Sequence, residues 1–215
     1  MSLDPAIEAI ENFQGKSLTK SLSDIEALIH KTKMGLPEVQ SFCDSRHIDD
    51  KFLASALSIK KVAGQINVII HAAGILRSLQ YILEPGEVIE SVSLGAGNTG
   101  RKYDLETNFR VAEYKFIDWQ GGAETIRQNA IFKDYFEMAE DETSKRKYLY
   151  VIGTKMPLKF FQSGRALTSI LSRRPDILAR INAKYGSEVR QVCDYYDLKK
   201  DKVSICDVAS FIGRA

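Results

Sequence analysis

Arg101-Lys102-Tyr103-Asp104-Leu105-Glu106-Thr107-Asn108-Phe109-Arg110-Val111-Ala112-Glu113-Tyr114-Lys115-Phe116 reads as a β-hairpin with an acid on its first strand and Glu-x-Lys on its second. Side chains two apart on a strand leave the same face, so Val111, Glu113 and Lys115 point one way. With Thr107-Asn108 as the turn, Glu106 faces Phe109 and Asp104 faces Val111, which sets Asp104 beside Glu113 and Lys115. A four-residue loop keeps that parity. An odd loop or a bulge would send Asp104 to the opposite side. The other face then carries Tyr103, Leu105, Ala112, Tyr114 and Phe116, and is apolar.

Gathering two carboxylates and an ammonium on one strand pair needs a physical reason. Like charges about 4 Å apart repel by roughly 4 kcal/mol at an effective dielectric of ~20, a poor arrangement without a cation. Mg²⁺, with Mn²⁺ as the alternative, would remove the repulsion and leave coordination positions for water and phosphate oxygens. The lysine would orient the attacking water, help deprotonate it, or neutralise charge on the phosphate. The competing interpretation is a solvated strand face. Asp49-Asp50-Lys51 and Asp197-Leu198-Lys199 also fit the short pattern, with no hairpin before them.

The surrounding order sharpens the reading. Residues from about Asp49 to Leu83 follow a helical pattern, with Ile59, Val62, Ile66, Ile69, Ala73 and Leu76 at three- and four-residue steps. Pro85-Gly86 ends that helix, Glu87 to Leu94 alternates as a strand, and Gly95 to Gly100 is a turn-rich connection into the hairpin. Gly121-Gly122 opens a helix to about Ser144, and Lys147 to Gly153 is a short buried strand. In this setting Asp104 with Glu113-Tyr114-Lys115 resembles the PD-(D/E)xK nuclease superfamily, the restriction-endonuclease-like fold, with Tyr103 in place of the family's proline. The resemblance covers about residues 55–155. It implies an α/β fold: an αβββαβ core, with a mixed central sheet flanked by helices and helical N- and C-terminal additions. The expected organisation is a helical extension over residues 1–50, a nuclease-like core over 51–155 and an α-rich part of the same domain over 156–215.

The resemblance also implies a reaction. A Mg²⁺-dependent nuclease would hold metal through Asp104 and Glu113, assist the nucleophile with Lys115, and act on DNA or RNA. The helix after the third strand often supplies a glutamine in such enzymes, which selects Gln128. The first-helix acid falls among Glu84, Glu87 and Glu90. Glu90 shares its strand face with Val88, Val92 and Leu94, where a carboxylate is costly unless paired or metal-bound, so it is the third expected ligand. His71 lies on a stripe with Asn67 and Ser78 that could approach the active face, although a lone histidine is more often a packing residue. A nuclease-like module that binds nucleic acid or protein without chemistry is the alternative. An interaction protein carrying the motif by accident is the weakest reading.

Gly95-Ala96-Gly97-Asn98-Thr99-Gly100 matches G-x-G-x-x-G after a strand, but dinucleotide binding needs a helix to begin there, and Lys102 onward reads as strand. His30 and His47 lack partners at zinc-like spacing. The 215 residues suffice for a large domain, and a net charge of +2 confines any nucleic-acid surface to local clusters. Lys145-Arg146-Lys147, Arg173-Arg174 and Lys199-Lys200 with Lys202 are such clusters, and Trp119 and Tyr135 could stack on bases. Three cysteines, Cys43, Cys193 and Cys206, form no paired motif, which favours a reducing compartment. The N-terminus has acids where a signal peptide needs lysines, and no run reaches ~18 uninterrupted apolar residues, so cytoplasm without membrane contact is expected, with a homodimer as an option for cutting a duplex. Before the core, Ser23-Asp24 is expected to cap one short helix and Leu36-Pro37 to punctuate the next. After it, Pro157 begins a helix to about Ser172 and Pro175 another through Lys184, stopped by Gly186.

Overall fold

The computed structural model describes residues 3–14, 16–32, 34–95, 100–117, 119 and 125–212. The chain divides into two compact units, Met1–Asn67 and Val68–Ala215.

The first unit is helical: α1 (Leu3–Gln14), α2 (Leu18–Thr32), α3 (Leu36–Ser45) and the start of α4 (Asp50–Ile82). The cap expected at Ser23-Asp24 is not used. Ser17 takes its place, its hydroxyl accepting from the Lys20 amide at 3.4 Å, so α2 begins more than a turn earlier. Pro37 sits in the first turn of α3, and the Glu38 carboxylate accepts from the Gly35 amide at 3.0 Å. Asp49 opens α4 by accepting from the Phe52 amide at 2.8 Å, satisfying one orphan donor of the helix start.

The second unit builds a mixed α/β structure. After α4 come β1 (Ile89–Val92), β2 (Leu105–Thr107), β3 (Arg110–Lys115), α5 (Thr125–Glu140) and β4 (Arg146–Val151). Four helices follow, α6 (Lys155–Phe161), α7 (Leu167–Ile170), α8 (Pro175–Tyr185) and α9 (Val192–Lys199), and then β5 (Ser204–Asp207). The five-stranded sheet runs in sequence order. β1, β2 and β3 pair antiparallel, whereas β3, β4 and β5 pair parallel. The expected order of helix, three strands, helix and strand is present. The C-terminal part is not purely helical, however: its last segment returns to the sheet as β5. Ser204 to Asp207 is too short and too polar to announce a strand, and its pairing with Tyr148 to Val151 supplies the order. The single helix expected from Pro157 to Ser172 is two, α6 and α7, separated by Gln162 to Ala166. Within that break Gly164 lies against Gln191, where a Cβ would come within 3.2 Å of the amide oxygen. The helix start expected at Gly121-Gly122 and the loop residues 96–99 lie outside the described residues.

Two cores cover the faces of the sheet. On one, Ile75 and Ile82 of α4 pack on Leu105, Ala112, Tyr114 and Tyr150. On the other, Ile131, Phe132, Tyr135 and Phe136 of α5 join Val111, Leu149 and Val151, together with α6 to α9. The apolar hairpin face is as expected except for Tyr103, which belongs to the α5 side. Tyr103 lies in the bend before β2, ahead of strand alternation, and its hydroxyl donates to the Asp141 carboxylate. The inward side of α4 also departs from expectation. Val62, Ile66, Ile69 and Leu76 are exposed, whereas Ile75, Ser78 and Ile82 are buried. By length and composition α4 is apolar enough to cross a membrane, with 22% of its most apolar window buried.

A buried ion network closes the end of the sheet near the start of β3. Arg110 is 3% exposed. It donates to both oxygens of Glu87 at 2.5 and 2.6 Å, to Glu84 at 2.9 Å and to the Tyr150 hydroxyl at 3.0 Å. A guanidinium fork matched to a carboxylate in this way tolerates burial because most of its donors are satisfied.

Candidate active site

The site forms at the other end of β3. Leu105 pairs with Ala112 and Glu106 with Val111, so the turn is centred on Asn108-Phe109, one residue beyond the expected centre. Thr107 drives that choice: its hydroxyl accepts from the amides of Phe109 at 3.0 Å and Arg110 at 2.8 Å. Parity survives the shift. Asp104 lies opposite Glu113 instead of Val111, and the two carboxyl groups are hydrogen-bonded to each other.

Each member is fixed from outside the pair. The Tyr114 amide donates to Asp104 Oδ2 at 2.9 Å, and His71 Nε2 of α4 lies 3.4 Å from Asp104 Oδ1. Burial alone would raise the Asp104 carboxyl, but the His71 and Tyr114 contacts outweigh it and hold the group below its ordinary value. Glu113 has the opposite environment. Burial, then the charges of Asp134 and Asp104, push its carboxyl up to about 8. At neutral pH Asp104 is therefore the ionised partner and Glu113 retains a proton.

Lys115 lies 3.7 Å from Glu113 Oε2 and 2.6 Å from Asp134 Oδ2 of α5. Burial works against its charge, yet Asp134 and Glu113 raise its proton affinity above the ordinary value. In the bare chain these carboxyl groups favour the ammonium form, and Lys115 pairs with Asp134.

His71 reaches Asp104 because α4 approaches the sheet closely at Gly74. A Cβ there would meet the Phe116 ring at 2.6 Å. One turn further along, the Ser78 hydroxyl meets the Tyr114 hydroxyl at 3.3 Å. Of the polar stripe, His71 and Ser78 meet the hairpin, whereas Asn67 is exposed.

Other expected participants are placed elsewhere. Glu90 falls where the β1–β2 register shifts, so simple alternation fails for it, and it binds Lys145 at 2.5 Å on the exposed edge. Glu84 and Glu87 belong to the Arg110 network. Gln128 is buried and accepts from Arg165. Asp134 is the group that sequence reasoning missed. Its signal was available: with Arg127, Ala130 and Ile131 it completes an i, i+3, i+4, i+7 stripe on the helix after β3. Tyr135 is a fully buried core residue. The basic clusters are largely neutralised within the chain: Lys145 by Glu90 and Glu106, Arg146 by Glu84, Arg174 by Asp176, and Lys199 by Glu140.

No family model, curated protein or solved structure matches this chain. The chemistry therefore rests on the geometry. Among the described residues no group of three or more His, Cys, Asp and Glu side chains is spaced to hold a metal ion. The donor set is the smaller one of Asp104 and Glu113. It fits Mg²⁺, which is commonly held by one or two carboxylates with water and phosphate oxygens completing the octahedron. Lys115 lies between Glu113 and Asp134, and Asp134 is also approached by the Lys133 ammonium at 3.6 Å.

Proposed function

We propose that this chain is a Mg²⁺-dependent nuclease that hydrolyses phosphodiester bonds of DNA or RNA, built on a restriction-endonuclease-like αβββαβ core. The observation that carries the reading is the hydrogen-bonded pair of Asp104 and Glu113 with Lys115 beside it, at the C-terminal end of β3. The element order, with two antiparallel pairings followed by a parallel crossover through α5, supports the fold assignment.

Asp104 and Glu113 would hold the ion. When bound, Mg²⁺ supplies Lewis-acid stabilisation of charge on the phosphate and activates water. His71 and the Tyr114 amide fix the orientation of Asp104, so its oxygens need little rearrangement. Asp134 aims the Lys115 ammonium, which donates to a phosphate oxygen and offsets the charge gained as attack proceeds. A water oxygen forms the new bond to phosphorus in line with the oxygen that leaves. The attacking water gives up its proton to solvent, the bond to the leaving oxygen breaks, and a proton from solvent restores that oxygen as a hydroxyl.

The test is cleavage of mixed single- and double-stranded DNA and RNA with Mg²⁺, using Lys115→Ala and Asp104→Asn as controls. Loss of activity by about 10²- to 10⁴-fold in each variant is expected. Undiminished cleavage in both refutes the proposal. Binding without cleavage by the unaltered chain would instead favour a non-catalytic nucleic-acid-binding module.

A further inference from the structure

α4 carries two apolar sides, and the sheet covers one of them. Gly74, Ile75, Ser78 and Ile82 are buried, and His71 on the same side reaches Asp104. Ile59, Val62, Ile66, Ile69, Ala73 and Leu76 run along the opposite side, as their spacing at 3.6 residues per turn requires. Val62, Ile66, Ile69 and Leu76 are between 42% and 52% exposed. No Lys, Arg, Asp or Glu interrupts the helix from Val62 to Leu76. A helix that is apolar on both sides is normally buried on both, so the second side lacks its cover.

The pattern of the stripe specifies that cover. Its steps of four and three alternate without a break, which repeats every seven residues and keeps one seam in line over several turns. This is the spacing at which two helices interlock their side chains at a crossing near 20°. The seam offers no charge for an oppositely charged partner to match, but it complements the same residues on an identical helix, and a two-fold axis makes each contact twice. From Ile59 to Gln80 the helix is about 33 Å long and presents on the order of 500 Å² on one side. Two copies together cover about 1,000 Å², the size at which an interface becomes specific.

A bilayer is the competing cover, because α4 is apolar enough to cross one. The uncharged run is only about 22 Å long, against a hydrocarbon core of about 30 Å. Gly74 and Ile75 lie within that run, and a span would strip them from the sheet.

We infer that the exposed side of α4 is a homotypic interface, closed by α4 of a second copy of this chain. Pairing uses the side away from His71, so each copy keeps the contact between His71 and Asp104. The inference stands independently of hydrolysis.

Sedimentation equilibrium of the full chain from ~1 to ~50 µM tests it, with the mass of two chains expected across the upper part of that range. Ile66→Glu combined with Ile69→Glu puts charge into the seam of both copies and should raise the dissociation constant by about 100-fold or more. Ile66→Ala combined with Ile69→Ala keeps high helix propensity and should raise it by about 10-fold, so the test survives if the glutamates unfold the helix. Val68→Glu changes an exposed apolar position of the same helix away from the seam and should leave the dimer intact. The thermal midpoint should rise with concentration in the parent and in Val68→Glu, but not in the glutamate pair. A parent chain that stays monomeric at ~50 µM overturns the inference, as does a dimer that both seam variants leave unchanged. Dissociation by Val68→Glu as strong as by the seam variants also overturns it. A monomer that floats with vesicles of phosphatidylcholine and phosphatidylglycerol would assign this side of α4 to a lipid surface instead.

Discussion

Glu113 carries the most exacting consequence of the site, because its environment makes folding stability depend on pH. Its carboxyl moves from an ordinary value of 4.5 to about 8 through burial and the neighbouring Asp134 and Asp104. The folded state thus binds the proton more tightly than the unfolded state. For a raised value, the contribution to stability is fully present below 4.5 and is lost as pH rises through about 8. At about 1.4 kcal/mol per tenfold change in proton affinity, the complete loss is roughly 5 kcal/mol. Asp104 acts in the opposite sense: its value is lowered, so its contribution is present above 3.8 and disappears only in stronger acid. The window from pH ~5 to ~9 therefore separates Glu113 from Asp104.

Glu113→Gln removes the titration while keeping a donor for Asp104. Urea unfolding of both chains in chelator should show the variant gaining on the parent by up to about 1.4 kcal/mol per pH unit as pH rises, with the gap levelling off above ~8. Mg²⁺ should then stabilise the parent at pH ~8 and have little effect on the variant, since a ligand stabilises only the state that binds it. Parallel stability profiles through the window would refute the buried carboxyl pair. Equal Mg²⁺ stabilisation of both chains would place any bound ion elsewhere.

The neighbouring parts of the structure make separable predictions. His71→Ala should weaken Mg²⁺ affinity by about 10- to 100-fold, as expected for a group that orients a ligand, and titration calorimetry would detect it; unchanged affinity would leave His71 as packing only. Arg110→Met strands the buried Glu87 carboxylate and should cost about 3–5 kcal/mol in urea unfolding, with the Mg²⁺ response retained in the folded fraction. A loss under 1 kcal/mol would mean that the network is solvated. Gly74→Ala drives a methyl group into the Phe116 ring and should cost about 1–3 kcal/mol. It should also lower Mg²⁺ affinity by lifting His71 from Asp104, and a neutral effect on both would show that α4 yields freely.

The sequence exposed those parts of the site that depend on local periodicity. Asp104, Glu113 and Lys115 share a hairpin, and because any even loop preserves their parity, misplacing the turn by one residue did no harm. Tyr103 turns to the α5 side where strand geometry stops. Glu90 turns to the exposed edge and pairs with Lys145 at a register shift in β1 that letters alone do not show. β5 could not be read from Ser204 to Asp207 alone, because its order comes from β4. Asp134 lies on a visible stripe of α5, but which face of that helix meets β3 is set by packing and not by the stripe alone.

The placement of the glutamates explains why counting acids near the first strand is a weak guide to a metal site. Glu84 and Glu87 are matched by Arg110, whose donors satisfy them, so they have no outstanding demand for positive charge. Glu113 differs because its nearest ammonium is shared with Asp134, which lies closer to it. The deficit is relieved in the bare chain by a proton, and under the proposed function a cation would relieve it instead. A carboxylate earns assignment as a ligand when its own chain leaves it under-compensated, and by that criterion the Asp104–Glu113 pair stands apart from the acids of the Arg110 network.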